Sequence, residues 1–185
     1  MIIADMNPRT VLAQLDPKLH FEEQYSPNPV VSVYQVTLDS IPFIVKCAFP
    51  NERRYVDTEI EALHHLDGLP LTPDLKEVYE KEIMGLRKTY MPGVTLGNYI
   101  SDFGGDISKF KEQGRELVEQ VHACGVYRLV LNFQNVLVND STILLFDFDE
   151  VFFEGQFDKR LVRKFKSDDL DKIETLLDPK KVLLG

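Results

Sequence analysis

The apolar pattern changes its period part-way along this 185-residue chain, and that change limits the fold more than any other feature. Segments 18–25, 30–38 and 42–48 alternate or run apolar and are rich in Val, Ile, Tyr and Phe, with Ser26-Pro-Asn-Pro29 and Asp39-Ser40 between them. They predict three consecutive antiparallel strands. Residues 51–66 then bring Val56, Ile60, Leu63 and His64 near one helical face, which Gly68-Leu-Pro70 ends. Two short strands follow, at 75–79 and 83–91. The expected fold is therefore α+β, a five-stranded antiparallel sheet with one helix packed on it. Met91-Pro-Gly93 reads as a hinge within a single domain (1–185), separating a sheet part (1–91) from a reduced, mostly helical part (92–185). Asn7-Pro8 signals a short leading helix within residues 1–16.

Helices are predicted over 95–100 and 107–123. In the second, Phe110, Gly114, Leu117, Val118 and Val121 keep close to a 3.6-residue period, and Gly125 terminates it. Segments 136–138 and 143–146 form a hairpin through Asn139-Asp140-Ser141, a turn-forming triplet. In the tail, one helix is expected near 157–165. Another is expected near 167–177, started by Ser167-Asp-Asp169.

A net charge of −9 argues against nucleic acid or an anionic membrane as main partner, since both need clustered cations. The one basic run, Lys159-Arg160-Leu-Val-Arg163-Lys164-Phe-Lys166, reads as the solvated face of a helix. Cys47 and Cys124 lie far apart in apolar segments, which predicts buried thiols in a reducing compartment. No apolar run reaches the roughly 18 residues of a membrane span, and no signal peptide is visible, so a cytosolic or nuclear protein is expected.

The chemistry-bearing residues concentrate in Arg128-Leu-Val-Leu-Asn-Phe-Gln-Asn135-Val-Leu-Val and in Asp147-Phe148-Asp149 behind a hydrophobic run. Upstream stand Phe43-Ile-Val-Lys46, a helix with Glu59, and Thr89-Tyr-Met91-Pro-Gly. This order resembles the protein-kinase-like superfamily, and within it the small atypical kinase-like domains, over residues 18–150. The resemblance implies that Lys46 contacts the α and β phosphates of ATP and that Glu59 holds Lys46 extended. It implies that the segment of Thr89 and Met91 takes the adenine edge, and that Asn135 and Asp147 hold Mg2+.

The departures from that pattern point away from efficient catalysis. Counting back five from Asn135 reaches Val130, and a one-residue slide reaches Leu129; neither accepts a proton as the catalytic Asp would. Between the first two strands there is no glycine, and the prolines there remove N–H donors for phosphate. Asp149 replaces the Gly of D-F-G, and the residues after it (150–185) hold no A-P-E sequence. The preferred expectation is a pseudokinase that binds ATP with Mg2+ and acts on a protein partner. A weakly active phosphotransferase and a nucleotide-free interaction scaffold are the alternatives. His64 and His65 point about 100° apart on a helix, so they do not chelate one metal. His122 reads as packed, and neither cysteine has a base at nucleophile spacing.

Overall fold

The computed structural model describes residues 6–27, 30–104 and 106–182. They form two compact units, Met1–His64 with Pro73–Tyr90, and His65–Thr72 with Met91–Gly185.

The first unit is α+β. A helix α1 (Pro8–Leu15) begins at Asn7, whose side chain accepts from the Arg9 N–H, with Pro8 in the first turn. Strands β1 (His20–Pro27), β2 (Val31–Leu38), β3 (Ile41–Ala48), β4 (Leu75–Glu80) and β5 (Met84–Thr89) make an antiparallel sheet in the order β1-β2-β3-β5-β4. Asp39 and Ser40 both take positive φ (51° and 66°), as a tight two-residue hairpin between β2 and β3 requires. Alternation along β3 sends Val45 and Cys47 to one face and Lys46 to the other. On the first face Tyr34, Val36, Val45 and Cys47 join Val11, Leu12 and Leu15 of α1 in a dry core. Lys81 Nζ donates to the carbonyls of Gln14 (3.2 Å) and Leu15 (2.7 Å), closing the C-terminal end of α1 where a cation is favoured. On the second face lies α2 (Arg54–His65), whose buried residues are Val56, Glu59, Ala62 and Leu63. His64, expected on that inner face, is exposed, and the charged Glu59 takes a core position instead.

In the second unit, β6 (Val94–Thr95), β8 (Val136–Asn139) and β9 (Thr142–Leu145) form a small antiparallel sheet, and β7 (Val126–Tyr127) pairs with β10 (Phe152–Phe153). Helix α3 (Leu96–Phe103) is capped by Thr95, and α4 (Lys111–Ala123) follows a 3-10 turn at Ile107–Phe110. The tail departs from expectation. Residues 159–176 are one continuous helix α5 (Lys159–Leu176), capped by Asp158 and not by Ser167, followed by a short α6 (Pro179–Val182). No Gly or Pro interrupts 159–176, and Asp169 is drawn inward by a 2.9 Å contact with His122 Nε2 of α4. Close approach of α4 and α5 depends on Gly114, where a Cβ would stand 2.7 Å from Leu177 Cδ1 and 3.1 Å from Ile173 Cγ1.

Among the described residues, no helix is long and apolar enough to cross a membrane.

Candidate functional site

Lys46 and Glu59, foreseen as a pair, are brought together. Lys46 Nζ stands 2.8 Å from Glu59 Oε2, with Lys46 4 % exposed and Glu59 fully buried. The strand supplies the lysine through its period of two, and the helix supplies the glutamate three residues after Val56, on the same buried stripe. A buried charge is tolerated only with a partner, and here the lysine and the glutamate answer each other.

A third member went unforeseen. Lys88 Nζ on β5 donates to Glu59 Oε1, and Lys88 is as buried as Lys46. In the ladder Lys46 faces Leu86 and Ile44 faces Lys88, which puts both ammonium groups on the face toward α2. The two contacts differ in kind. Lys88 makes an aligned hydrogen bond, whereas Lys46 is within ion-pair distance of Oε2 but off its hydrogen-bonding direction.

On the other face of β3, Cys47 is fully buried, and its thiol lies 3.8 Å from the Ser32 carbonyl oxygen. Burial pushes its pKa up to about 12. It is a core thiol, in line with the sequence reading; Cys124 is only half-buried, and both are free. Thr89, foreseen at the adenine edge, closes the end of β5: its Oγ1 accepts from the Asp74 N–H (2.9 Å) and its N–H donates to Asp74 O (3.0 Å). Met91 belongs to the second unit and is half-buried.

In the second unit the loop before β8 is held by its own polar groups. Asn132 Oδ1 accepts from the N–H of Gln134 (2.7 Å) and of Asn135 (2.9 Å), an Asx turn. Asn135 Nδ2 donates to Val130 O at 3.0 Å. This fixes the carboxamide and leaves its oxygen as the atom suited to a hard cation. Val130 is half-buried between the buried Leu129 and Leu131, so an apolar stretch fills the place where the kinase-like pattern has its proton-accepting Asp. Asp147 and Asp149 are half-buried on either side of the buried Phe148, two and four residues past β9. Arg128 adopts a left-handed conformation (φ 57°), with its guanidinium 4.7 Å above the Phe152 ring.

Two of the four histidines play packing roles. His65 stacks on Phe153 (5.2 Å between centroids), and its Nδ1 lies 3.0 Å from Cys124 O. His122 is buried against Asp169, as its apolar helix suggested. Among the described residues, no three His, Cys, Asp or Glu side chains cluster as a metal site. A magnesium ion would depend on oxygen from Asn135 and Asp147 together with ligand phosphates, a donor set that fits a hard cation.

No protein-family model matches the chain, and no curated protein matches it.

Proposed function

We propose that this chain is a kinase-like domain of the pseudokinase type, which binds ATP with Mg2+ and works through a protein partner instead of phosphoryl transfer. The observation that carries the reading is the buried Lys46–Glu59 pair at 2.8 Å, a positioned cation of the kind a triphosphate needs. Asn135 and Asp147 supply the oxygens suited to magnesium. The side chains of Leu129, Val130 and Leu131 supply no proton acceptor for an attacking hydroxyl.

The test is thermal unfolding of wild type, Lys46→Ala and Asp147→Ala with and without millimolar ATP and Mg2+. Ligand at 100 times its Kd adds about 2.7 kcal/mol, a rise of several degrees for a chain of this length. The reading expects a magnesium-dependent rise in the wild type that both folded variants lose. No rise in the wild type would leave an interaction scaffold without nucleotide.

The fixed Asn135 carboxamide favours a second reading, a weak phosphotransferase. Phosphoryl transfer rests mainly on positioning and charge, and a general base contributes about 10²–10⁴ in rate, so residual turnover survives its loss.

A further inference from the structure

The first half of α5 is charged against its own dipole. Lys159, Arg160, Arg163, Lys164 and Lys166 fall within its first eight residues, and Asp168, Asp169 and Asp171 follow them. A helix favours the opposite order, anions first and cations last. Arg160, Arg163 and Lys164 are exposed, and among the described residues they form no ion pair. Asp158, the acid next to them, is taken up as the cap by the N–H groups of Arg160 and Leu161. Beside these cations lies an aromatic cluster. Phe152, Phe157 and Phe165 stand 4.7 to 5.6 Å apart between ring centroids, and Phe157 keeps 36 % of its surface in water. The exposed Arg128 guanidinium lies flat over Phe152 at 4.7 Å, and stacking occupies its face while leaving its N–H edge for an acceptor. Among the described residues its side chain makes no hydrogen bond. Arg128 also holds φ 57°, a conformation that glycine takes at less cost, so the turn alone does not call for an arginine.

We propose that this face of the second unit is a docking site for an acidic peptide segment that carries an aromatic or leucine anchor. The proposal rests on the reading above only for there being a protein partner, and it gives that partner a chemistry. Charge selects the occupant. Unanswered cations around a half-open aromatic cluster match carboxylates that flank an apolar side chain, and aromatic residues with arginine are the usual centre of a binding hot spot. Extent selects it as well. The cationic stretch Lys159–Lys166 rises about 12 Å before Asp168 and Asp171 reverse the sign, a span that suits a few peptide residues and not a long polyanion. The apolar side of α5 is already packed, with Ile173 and Leu177 against Gly114 of α4, so it has no broad apolar face to lay on a membrane.

The experiment selects binders from a random twelve-residue peptide library on the full chain, with the Arg160→Glu/Lys164→Glu variant selected in parallel. The wild type is expected to enrich peptides with an excess of Asp and Glu around a Phe, Tyr, Trp or Leu, and the reversed variant is expected not to recover them. The best peptide, followed by fluorescence anisotropy, should bind about 10-fold or more weakly to Arg160→Glu/Lys164→Glu and to Arg128→Gln, and should weaken as salt rises. Both variants change exposed side chains, and the two glutamates suit a helix start, so neither unfolding midpoint should fall by more than a few degrees. No enrichment, enriched peptides without an acidic excess, or equal binding by wild type and both variants would overturn the proposal. So would tighter binding of a phosphoserine peptide free of carboxylate side chains, of a single-stranded oligonucleotide or of phosphatidylserine vesicles, each of which names a different occupant. The midpoint with Mg-ATP is read on the same proteins. A wild-type rise beside a failed selection sinks the docking face and spares the nucleotide reading; acidic peptides enriched without that rise do the reverse.

Discussion

Raising the pH above 9 is expected to weaken this protein through the thiol of Cys47. The side chain is fully buried: it sits in the core with Tyr34, Val45, Leu12 and Leu15, and burial raises its pKa from 9.0 to about 12. The unfolded thiol gives up its proton as pH passes 9, whereas the folded thiol keeps it until about 12. Between those limits the unfolded state binds fewer protons, so stability falls as pH rises; below 9 the contribution is complete. Each pH unit in the window removes about 1.4 kcal/mol. At about pH 10.5 the loss is roughly 2 kcal/mol, which lowers the unfolding midpoint by about 4–8 °C in a chain of this length. Tyr79 is also held up to about 12 by burial, but its ordinary value of 10.0 places its effect higher in pH. Tyr25, Tyr34 and Tyr127 are raised as well, so it is the difference in slope between wild type and Cys47→Ala from pH 9 to 10 that isolates the cysteine. The assay is thermal unfolding of wild type and Cys47→Ala across that interval, with thiolate formation followed by ultraviolet absorbance. Cys47→Ala starts less stable, and its midpoint should fall less steeply with pH. Parallel slopes in the two proteins, or a thiolate signal near pH 9 that the folded wild type shows and folded Cys47→Ala lacks, would refute the reasoning.

Three further outcomes are expected. Because His122 and Asp169 are both 4 % exposed and 2.9 Å apart, His122→Leu should cost about 3–5 kcal/mol, and the His122→Leu/Asp169→Leu double should be milder than that single; urea unfolding reads both, and additivity would count against a buried pair. Gly93 has φ 153° and its Cβ position lies 2.8 Å from Val138 O, whereas Gly68 (φ 74°) has open space around it. Gly93→Ala should cost about 2–4 kcal/mol and Gly68→Ala about 1, a contrast that urea midpoints would test. On the weak-phosphotransferase reading, Val130→Asp should raise ATP-dependent transfer by about 10²–10⁴, and no gain in a folded, ATP-binding variant would remove that reading.

Much of the sheet was legible because its strands carry the period-two pattern and their turns carry Pro, Asn, Asp and Gly. The leading helix was legible from Asn7-Pro8, which caps it as expected. The joined tail helix was not legible, since Ser167-Asp-Asp169 reads as a helix start on local grounds and only the tertiary partner His122 shows that Asp169 points inward. The pair β7–β10 has only two residues in each strand, too few for any periodic signal. In the candidate site, Lys46, Glu59 and Asn135 were singled out through their resemblance to the kinase-like pattern. Lys88 did not, because a lysine in a mixed strand normally marks a solvent face, and here neighbouring strands on both sides and α2 above close that face off.

The route of the chain through its two units has a consequence for how the protein is made. Residues 65–72 leave the sheet unit between α2 and β4 and belong to the other unit, where Leu145 N–H donates to Leu71 O (3.1 Å) and Leu66 is buried. His65 finds Cys124 only 59 residues later. At a synthesis rate of about 5–20 residues per second, that interval lasts roughly 3–12 s. Within it β4 and β5 are made and the five strands of the sheet become complete, while the excursion in their midst still waits for its partners. A chain stopped at Tyr90 would keep every strand and still present Leu66 and unpaired backbone to water, so no cut there yields a self-sufficient half.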